Sequence, residues 1–211
     1  KNEGIGIYRL DLTSGALELE SKAGQGISCS WIAIDRGKRF LYAIDEVGEY
    51  SGQPGGAVCA FSLDPDTGNL AYLNRQPSNG AGPCYLSFDQ AGRFIFAANY
   101  FSGSVSVIPI QKDGRLACAS DFLQHHGSSV NMERQEGPHV HSVVPDAANR
   151  HVFVQDLGID KIMVYKLDID AGKLVPHEPP WIQTRAGIGP RHFVWHPNGR
   201  YAYVTNELES T

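Results

Sequence analysis

Arg93-Phe94-Ile95-Phe96-Ala97-Ala98-Asn99 is an apolar run closed by an arginine at one end and an asparagine at the other, and such a run, ending in Asn or Asp, occurs four times. The other copies are Arg39-Phe40-Leu41-Tyr42-Ala43-Ile44-Asp45, Arg150-His151-Val152-Phe153-Val154-Gln155-Asp156 and Arg200-Tyr201-Ala202-Tyr203-Val204-Thr205-Asn206. Their arginines stand 54, 57 and 50 residues apart. Each copy follows a second short run: Ser30 to Asp35, Tyr85 to Asp89, His141 to Asp146 and His192 to Pro197. Recurrence at such a period marks a repeat architecture, in which one supersecondary unit buries its faces only against its neighbours.

Between these pairs lie further alternating runs: Gly4 to Asp11, Ala57 to Asp64, Ser104 to Ile110 and Lys161 to Asp168. Each ends in a glycine-containing turn, Thr13-Ser14-Gly15, Asp66-Thr67-Gly68, Lys112-Asp113-Gly114 or Asp170-Ala171-Gly172. A fourth run then starts at Leu17, Leu70, Leu116 or Leu174. This is hairpin punctuation, and no segment sustains a helical period of apolar residues. The chain therefore reads as all-β, a β-propeller of four-stranded blades with about four blade-equivalents present. The expected units are a partial blade over 1–29, blades at about 30–77, 84–124 and 141–184, and a partial blade over 191–211. A β-sandwich is the runner-up, but it has no reason to repeat one four-strand grammar. Four-bladed rings are rare and neither end has the divergent look of a capping repeat, so a segment of a larger ring is expected.

The 211 residues include 18 Lys and Arg against 23 Asp and Glu, a formal charge of -5 that argues against a general nucleic-acid binder. No apolar run approaches the roughly 18 residues of a membrane-spanning helix. Cys29, Cys59, Cys84 and Cys118 form no CxxC pair, so they read as small core thiols in a reducing, cytoplasmic compartment. Any anionic ligand must then be held by a few local cations.

In a blade with strands A to D, the A–B and C–D turns lie on one face of the disc and the B–C and D–A connections on the other. The first set is ordinary turn chemistry, such as Asp89 to Gly92. The second holds Asp45-Glu46, Asn99-Tyr100, Asp156-Leu157-Gly158 and Asn206-Glu207 at B-strand ends, and Gly137-Pro138-His139-Val140-His141 and Gly189-Pro190-Arg191-His192 at A-strand starts. His139 and His141, two residues apart, point the same way in an extended strand, roughly 7 Å apart. As a metal pair they lack a third ligand at a recognisable spacing, so no metal and no other cofactor is expected. A hairpin brings Arg191 to Glu207. Arg134, Arg185 and the His125-His126 pair fall in longer loops on the same rim, where the default for each is solvated loop.

With those residues in view, the chain resembles the lactonase family of seven-bladed propellers. The likeness runs over all 211 residues. It is carried by Gly137-Pro138-His139-Val140-His141-Ser142, by Asp156-Leu157-Gly158 with Asp160, by Gly187-Ile188-Gly189-Pro190-Arg191-His192 and by Tyr203-Val204-Thr205-Asn206-Glu207-Leu208. The resemblance implies an N-terminal portion of such a ring and a cluster of one histidine, two arginines and a glutamate at the channel mouth. By motif these fall on His141, Arg191 and Glu207, with the second arginine past Thr211, and His139 is the alternative to His141. His139 and His192 are further candidate substrate contacts, and Arg134 or Arg185 is the candidate cation for a substrate phosphate. The implied activity is hydrolysis of a small anionic lactone, foremost 6-phosphogluconolactone in the pentose phosphate pathway, with Glu207 or His141 as general base and Arg191 as the clamp on the oxyanion or carboxylate. A lactonizing cycloisomerase and a non-catalytic interaction scaffold are the alternatives. An incomplete ring leaves an open blade face, so self-association is expected.

Overall fold

The computed structural model describes residues 3–211. Its first hairpin pairs β1 (Ile5–Leu10) with β2 (Leu17–Ala23). Three four-stranded antiparallel sheets follow, each ordered A-B-C-D in chain sequence. The first blade is β3 (Ile32–Ile34), β4 (Phe40–Asp45), β7 (Ala57–Leu63) and β8 (Leu70–Pro77). A two-residue hairpin, β5 (Glu49–Tyr50) with β6 (Gln53–Pro54), projects from its B–C connection. The second blade is β9 (Pro83–Phe88), β10 (Phe94–Asn99), β11 (Ser104–Pro109) and β12 (Asp121–Gln124). The third is β13 (Val140–Pro145), β14 (His151–Asp156), β15 (Lys161–Asp168) and β16 (Lys173–Gln183), and β17 (Pro190–Trp195) pairs with β18 (Ala202–Asn206) to end the array. A single 3-10 turn over Leu157–Ile159 is the one helical element among the described residues. The architecture is a β-propeller, as the repeat predicts.

The period of two along a strand explains why the B strands read as unbroken apolar runs: both faces of each blade are covered. Leu41 and Ala43 of β4 join Ile5, Ile27 and Phe61 in one layer, while Tyr42 and Ile44 face Ile95, Ala97 and Ile108 of the second blade. Phe94, Phe96 and Ala98 turn the other way onto Val143, Val152 and Val154 of the third. Phe153 stacks on Phe193 at 5.6 Å between the third blade and the last hairpin. Burying each such Leu, Ile or Phe contributes about 1.5–3 kcal/mol, so blade stacking is the main source of stability.

Around the axis the A strands are also tied by polar contacts. The Trp31 indole N–H donates to the Leu86 carbonyl (3.1 Å), Ser87 Oγ to the Val143 carbonyl (2.6 Å) and Ser142 Oγ to the Arg191 carbonyl (2.7 Å). Each contact links one A strand to the next and fixes the blade spacing at the inner rim.

The two outer sheets leave apolar side chains uncovered. Tyr8, Leu10, Leu17 and Leu19 are exposed on the first hairpin, and Val194, Tyr201 and Tyr203 on the last.

Three expectations change. The fourth strand of the second blade starts at Asp121 and not at Leu116. Leu116 is instead buried, its N–H and C=O both engaged by the Asn74 side chain (2.9 and 2.8 Å), which leaves it only an isolated bridge to Ile110. Cys118, in that same connection, is exposed and no core residue, although all four thiols are free. His125 is buried, not a solvated loop residue: its Nδ1 lies 2.6 Å from Asp156 Oδ2 and its Nε2 2.9 Å from the Tyr165 hydroxyl.

Candidate active site

The site begins with a local irregularity of pairing. Val140 pairs with Asp156 and Ser142 with Gln155, so His141 is an extra residue in β13 with no partner across the ladder. Pro190 pairs with Asn206 and His192 with Thr205, which leaves Arg191 in the same situation in β17. Pro83 pairs with Asn99 and Tyr85 with Ala98, and the unpaired residue of β9 is Cys84. A bulge of this kind re-aims one side chain out of the alternation. Three successive blades thus present Cys84, His141 and Arg191 at one equivalent position.

The connections that deliver these strands are held by buried acids. Asp156 Oδ1 accepts from His139 N–H (2.8 Å) and Gly158 N–H (3.1 Å). Gly158 is required there, because a Cβ would sit 1.9 Å from the Gly137 carbonyl oxygen. Asp160, buried with φ +51°, accepts from Gly187 N–H (2.7 Å), Gly189 N–H (2.8 Å) and Ser129 Oγ (2.5 Å). It fixes the turn leading to Arg191. Glu207 follows β18 directly, and its N–H donates to the Gly189 carbonyl (2.9 Å).

Glu207 is the centre of the cluster. Its Oε1 accepts from Arg134 Nη2 at 2.5 Å, and its Oε2 lies 2.7 Å from Arg191 Nε and 3.9 Å from His141 Nε2. The Arg191 Nε–H is buried, is poorly aimed at that oxygen and has no hydrogen-bond partner among the described residues, so this contact is a close charge pair. Arg134 Nη2 also reaches the Tyr100 hydroxyl at 3.3 Å. Rings pack beneath: His141 meets His192 edge to face at 5.1 Å and Tyr100 at 5.6 Å, while Tyr100 stacks on His139 at 4.6 Å.

Charge states follow from these surroundings. Burial, then the nearby Arg191 guanidinium, pushes His141 down to about 4, so its imidazole is neutral at physiological pH. His192 is lowered by the same two causes. For Glu207, burial acts to raise the carboxyl, but the Arg134 hydrogen bond and the charges of Arg134 and Arg191 outweigh it and keep it ionised. A neutral imidazole beside a carboxylate held by two guanidinium groups is a base poised near fixed positive charge. It can take a proton from water while a developing oxyanion is stabilised.

His141, Arg191, Glu207, Arg134 and His192 come together. His139 belongs to the same patch, but both its nitrogens are engaged elsewhere, Nδ1 with the Tyr100 carbonyl (3.1 Å) and Nε2 with Glu136 (3.3 Å). Arg185 stays apart, largely exposed and paired with Glu209. Sequence reasoning placed Tyr100 on this rim without a role and missed Cys84. The signal for Cys84 was Gly82-Pro83-Cys84 repeating the spacing of Gly189-Pro190-Arg191. Among the described residues, no group of three or more His, Cys, Asp or Glu side chains is placed to hold a metal ion. A cavity of about 930 Å³ lies around the A–B turns on the other face. Its Asp35 and Asp89 carboxylates are taken up by backbone N–H groups of their own turns.

A family model described as "Lactonase, 7-bladed beta-propeller" matches residues 1–211. The chain belongs to this lactonase family. It is 36% identical over 209 residues to the 6-phosphogluconolactonase of Bacillus subtilis (strain 168), covering 99% of this chain and 57% of that one. It is 32% identical over 211 residues to the 6-phosphogluconolactonase of Formosa agariphila, covering 99% and 59%. Among solved structures, the periplasmic gluconolactonase PpgL of Pseudomonas aeruginosa superposes with a TM-score of 0.90 at 32% identity, over 98% of this chain and 58% of that one. The chain thus spans a little under three-fifths of the length of these relatives.

The neutral imidazole has a direct check. In a pH titration followed by histidine-ring NMR, His141 is expected to change state near pH 4, and a midpoint near the ordinary value of about 6.5 would contradict the described burial.

Proposed function

We propose that the whole protein is a lactone hydrolase and that it opens 6-phosphogluconolactone to 6-phosphogluconate, a step of the pentose phosphate pathway. The observation that carries this reading is His141 Nε2 standing 3.9 Å from a carboxylate that Arg134 and Arg191 hold ionised. The relatives named 6-phosphogluconolactonase support the choice of substrate.

His141 Nε2 takes a proton from water as the water oxygen bonds to the lactone carbonyl carbon. The carbonyl electron pair moves onto oxygen, and the partly exposed guanidinium of Arg191 meets that charge. Glu207 stabilises the imidazolium ion and is a positioning residue, since Arg134 and Arg191 engage both of its carboxylate oxygens. Collapse of the tetrahedral intermediate breaks the ring C–O bond, and the imidazolium returns its proton to the leaving alkoxide. Arg134, about half-exposed at the rim, is placed to exchange Glu207 for a substrate phosphate. No step in this sequence requires a cofactor.

The compartment we propose is the cytoplasm, in keeping with four free thiols. The likeness to a periplasmic enzyme means that the fold alone does not decide it.

In the full-length protein, His141→Ala and Arg191→Met are each expected to lower kcat for 6-phosphogluconate formation by about 10²- to 10⁴-fold. Wild-type protein no faster than spontaneous ring opening would overturn the assignment, and turnover of a muconate in its place would point to cycloisomerase chemistry. We further propose that the uncovered apolar residues of the outer sheets drive association when these 211 residues are produced alone. Sedimentation should then report oligomers, whereas a stable monomer would contradict this.

A further inference from the structure

The Cys84 thiol occupies the bulge position that His141 and Arg191 occupy in the next two blades, and it lies behind the His141 ring. Its Sγ is 3.5 Å from the His141 carbonyl oxygen, 3.8 Å from the Val140 carbonyl oxygen and 3.9 Å from His141 Nδ1. Burial pushes the thiol up to about 12, so it keeps its proton. That single S–H goes to one acceptor, and the His141 carbonyl oxygen at 3.5 Å is nearer than Nδ1 at 3.9 Å. The sulfur therefore offers Nδ1 its lone pairs.

We infer that Cys84 is a positioning residue that holds His141 in the Nδ1–H tautomer, leaving the Nε2 lone pair directed at the reacting water. Cys84 touches no reacting atom and acts through the imidazole alone. The opposite end of the ring pulls the other way. Glu207 Oε2, 3.9 Å from Nε2, would favour a proton on Nε2, and that tautomer cannot act as the base. The other charged group beside the ring is Arg191, which engages Glu207 and weakens this pull, and His192 meets the ring edge to face. The sulfur is then what settles the balance, as a partner on one imidazole nitrogen sets the protonation of the other. The inference rests on His141 being the base of the proposed hydrolysis.

The test combines a spectroscopic and a kinetic readout on the full-length protein. In the wild type, ¹⁵N NMR of the His141 ring above pH 6 is expected to give a protonated Nδ1 and an unprotonated Nε2. In Cys84→Val, which keeps the bulk and removes the lone pairs, the Nε2–H tautomer should become the major form. With about nine-tenths of the rings in the wrong tautomer, kcat falls about tenfold at unchanged KM. Cys84→Ser supplies a hydroxyl acceptor and should return kcat to within about twofold of wild type. A proton on Nε2 in the wild type overturns the inference whether or not any variant folds. An unaltered tautomer and kcat in Cys84→Val overturn it as well. Because the ring spectrum needs no turnover, loss of the lactonase reading and loss of the tautomer assignment are separately visible.

Discussion

Backbone N–H groups brought to the inner rim must find partners, and the way the chain meets that demand places everything else. A buried donor left without an acceptor costs about 1–3 kcal/mol, and the connections between blades carry several such donors past the ends of the B strands. Asp45 accepts from Ser28 N–H at 2.7 Å, Asp156 from His139 and Gly158, and Asp160 from Gly187 and Gly189. Each carboxylate thereby fixes the entry of the following A strand. The bulges that expose His141 and Arg191 sit one or two residues beyond those clamps.

The clamps also connect neighbouring blades. Asp156 uses its second oxygen on His125, which arrives from the second blade and passes the chain of contacts to Tyr165 in the third. Burial raises the Tyr165 hydroxyl to about 12, so it stays a neutral partner to that histidine. Such a network is favourable only when every member is satisfied, which limits how far the rim can shift. The catalytic cluster stands on this frame with opposite charge logic. Glu207 receives Arg191 from β17 of its own hairpin and Arg134 from the connection between the second and third blades, so part of what keeps it ionised comes from another blade.

The strand grammar was legible because both faces of a blade are buried: a four-fold recurrence of Arg plus an apolar run plus Asp or Asn has no other economical reading. Strand positions were legible to within a few residues for the same reason. The exception, Leu116, failed on a tertiary effect, since nothing local announces that Asn74, 42 residues away, will occupy its backbone groups. Of the chemical residues, His141, Arg191 and Glu207 were visible as polar residues at strand ends where turn chemistry alone does not call for them. The bulges were not visible, because an unpaired residue looks like any other position in a six-residue strand. That is why Cys84 passed for core, whereas His125 passed for loop because its partners Asp156 and Tyr165 lie in the third blade. The B-strand acids were read as part of a chemically loaded rim, yet Asp45 and Asp156 are spent on backbone donors and on Arg75 and His125. Telling a clamp from a catalyst needs the partner, and the partner lies in another blade.

The convergence of side chains from separate blades onto one rim is tested most directly by a crystal structure of the full-length protein with 6-phosphogluconate bound. The product carboxylate should lie against Arg191 and within hydrogen-bond reach of His141 Nε2, with its phosphate on Arg134. Product bound instead in the cavity around Asp35 and Asp89, with the His141 and Glu207 side chains untouched, would contradict the account.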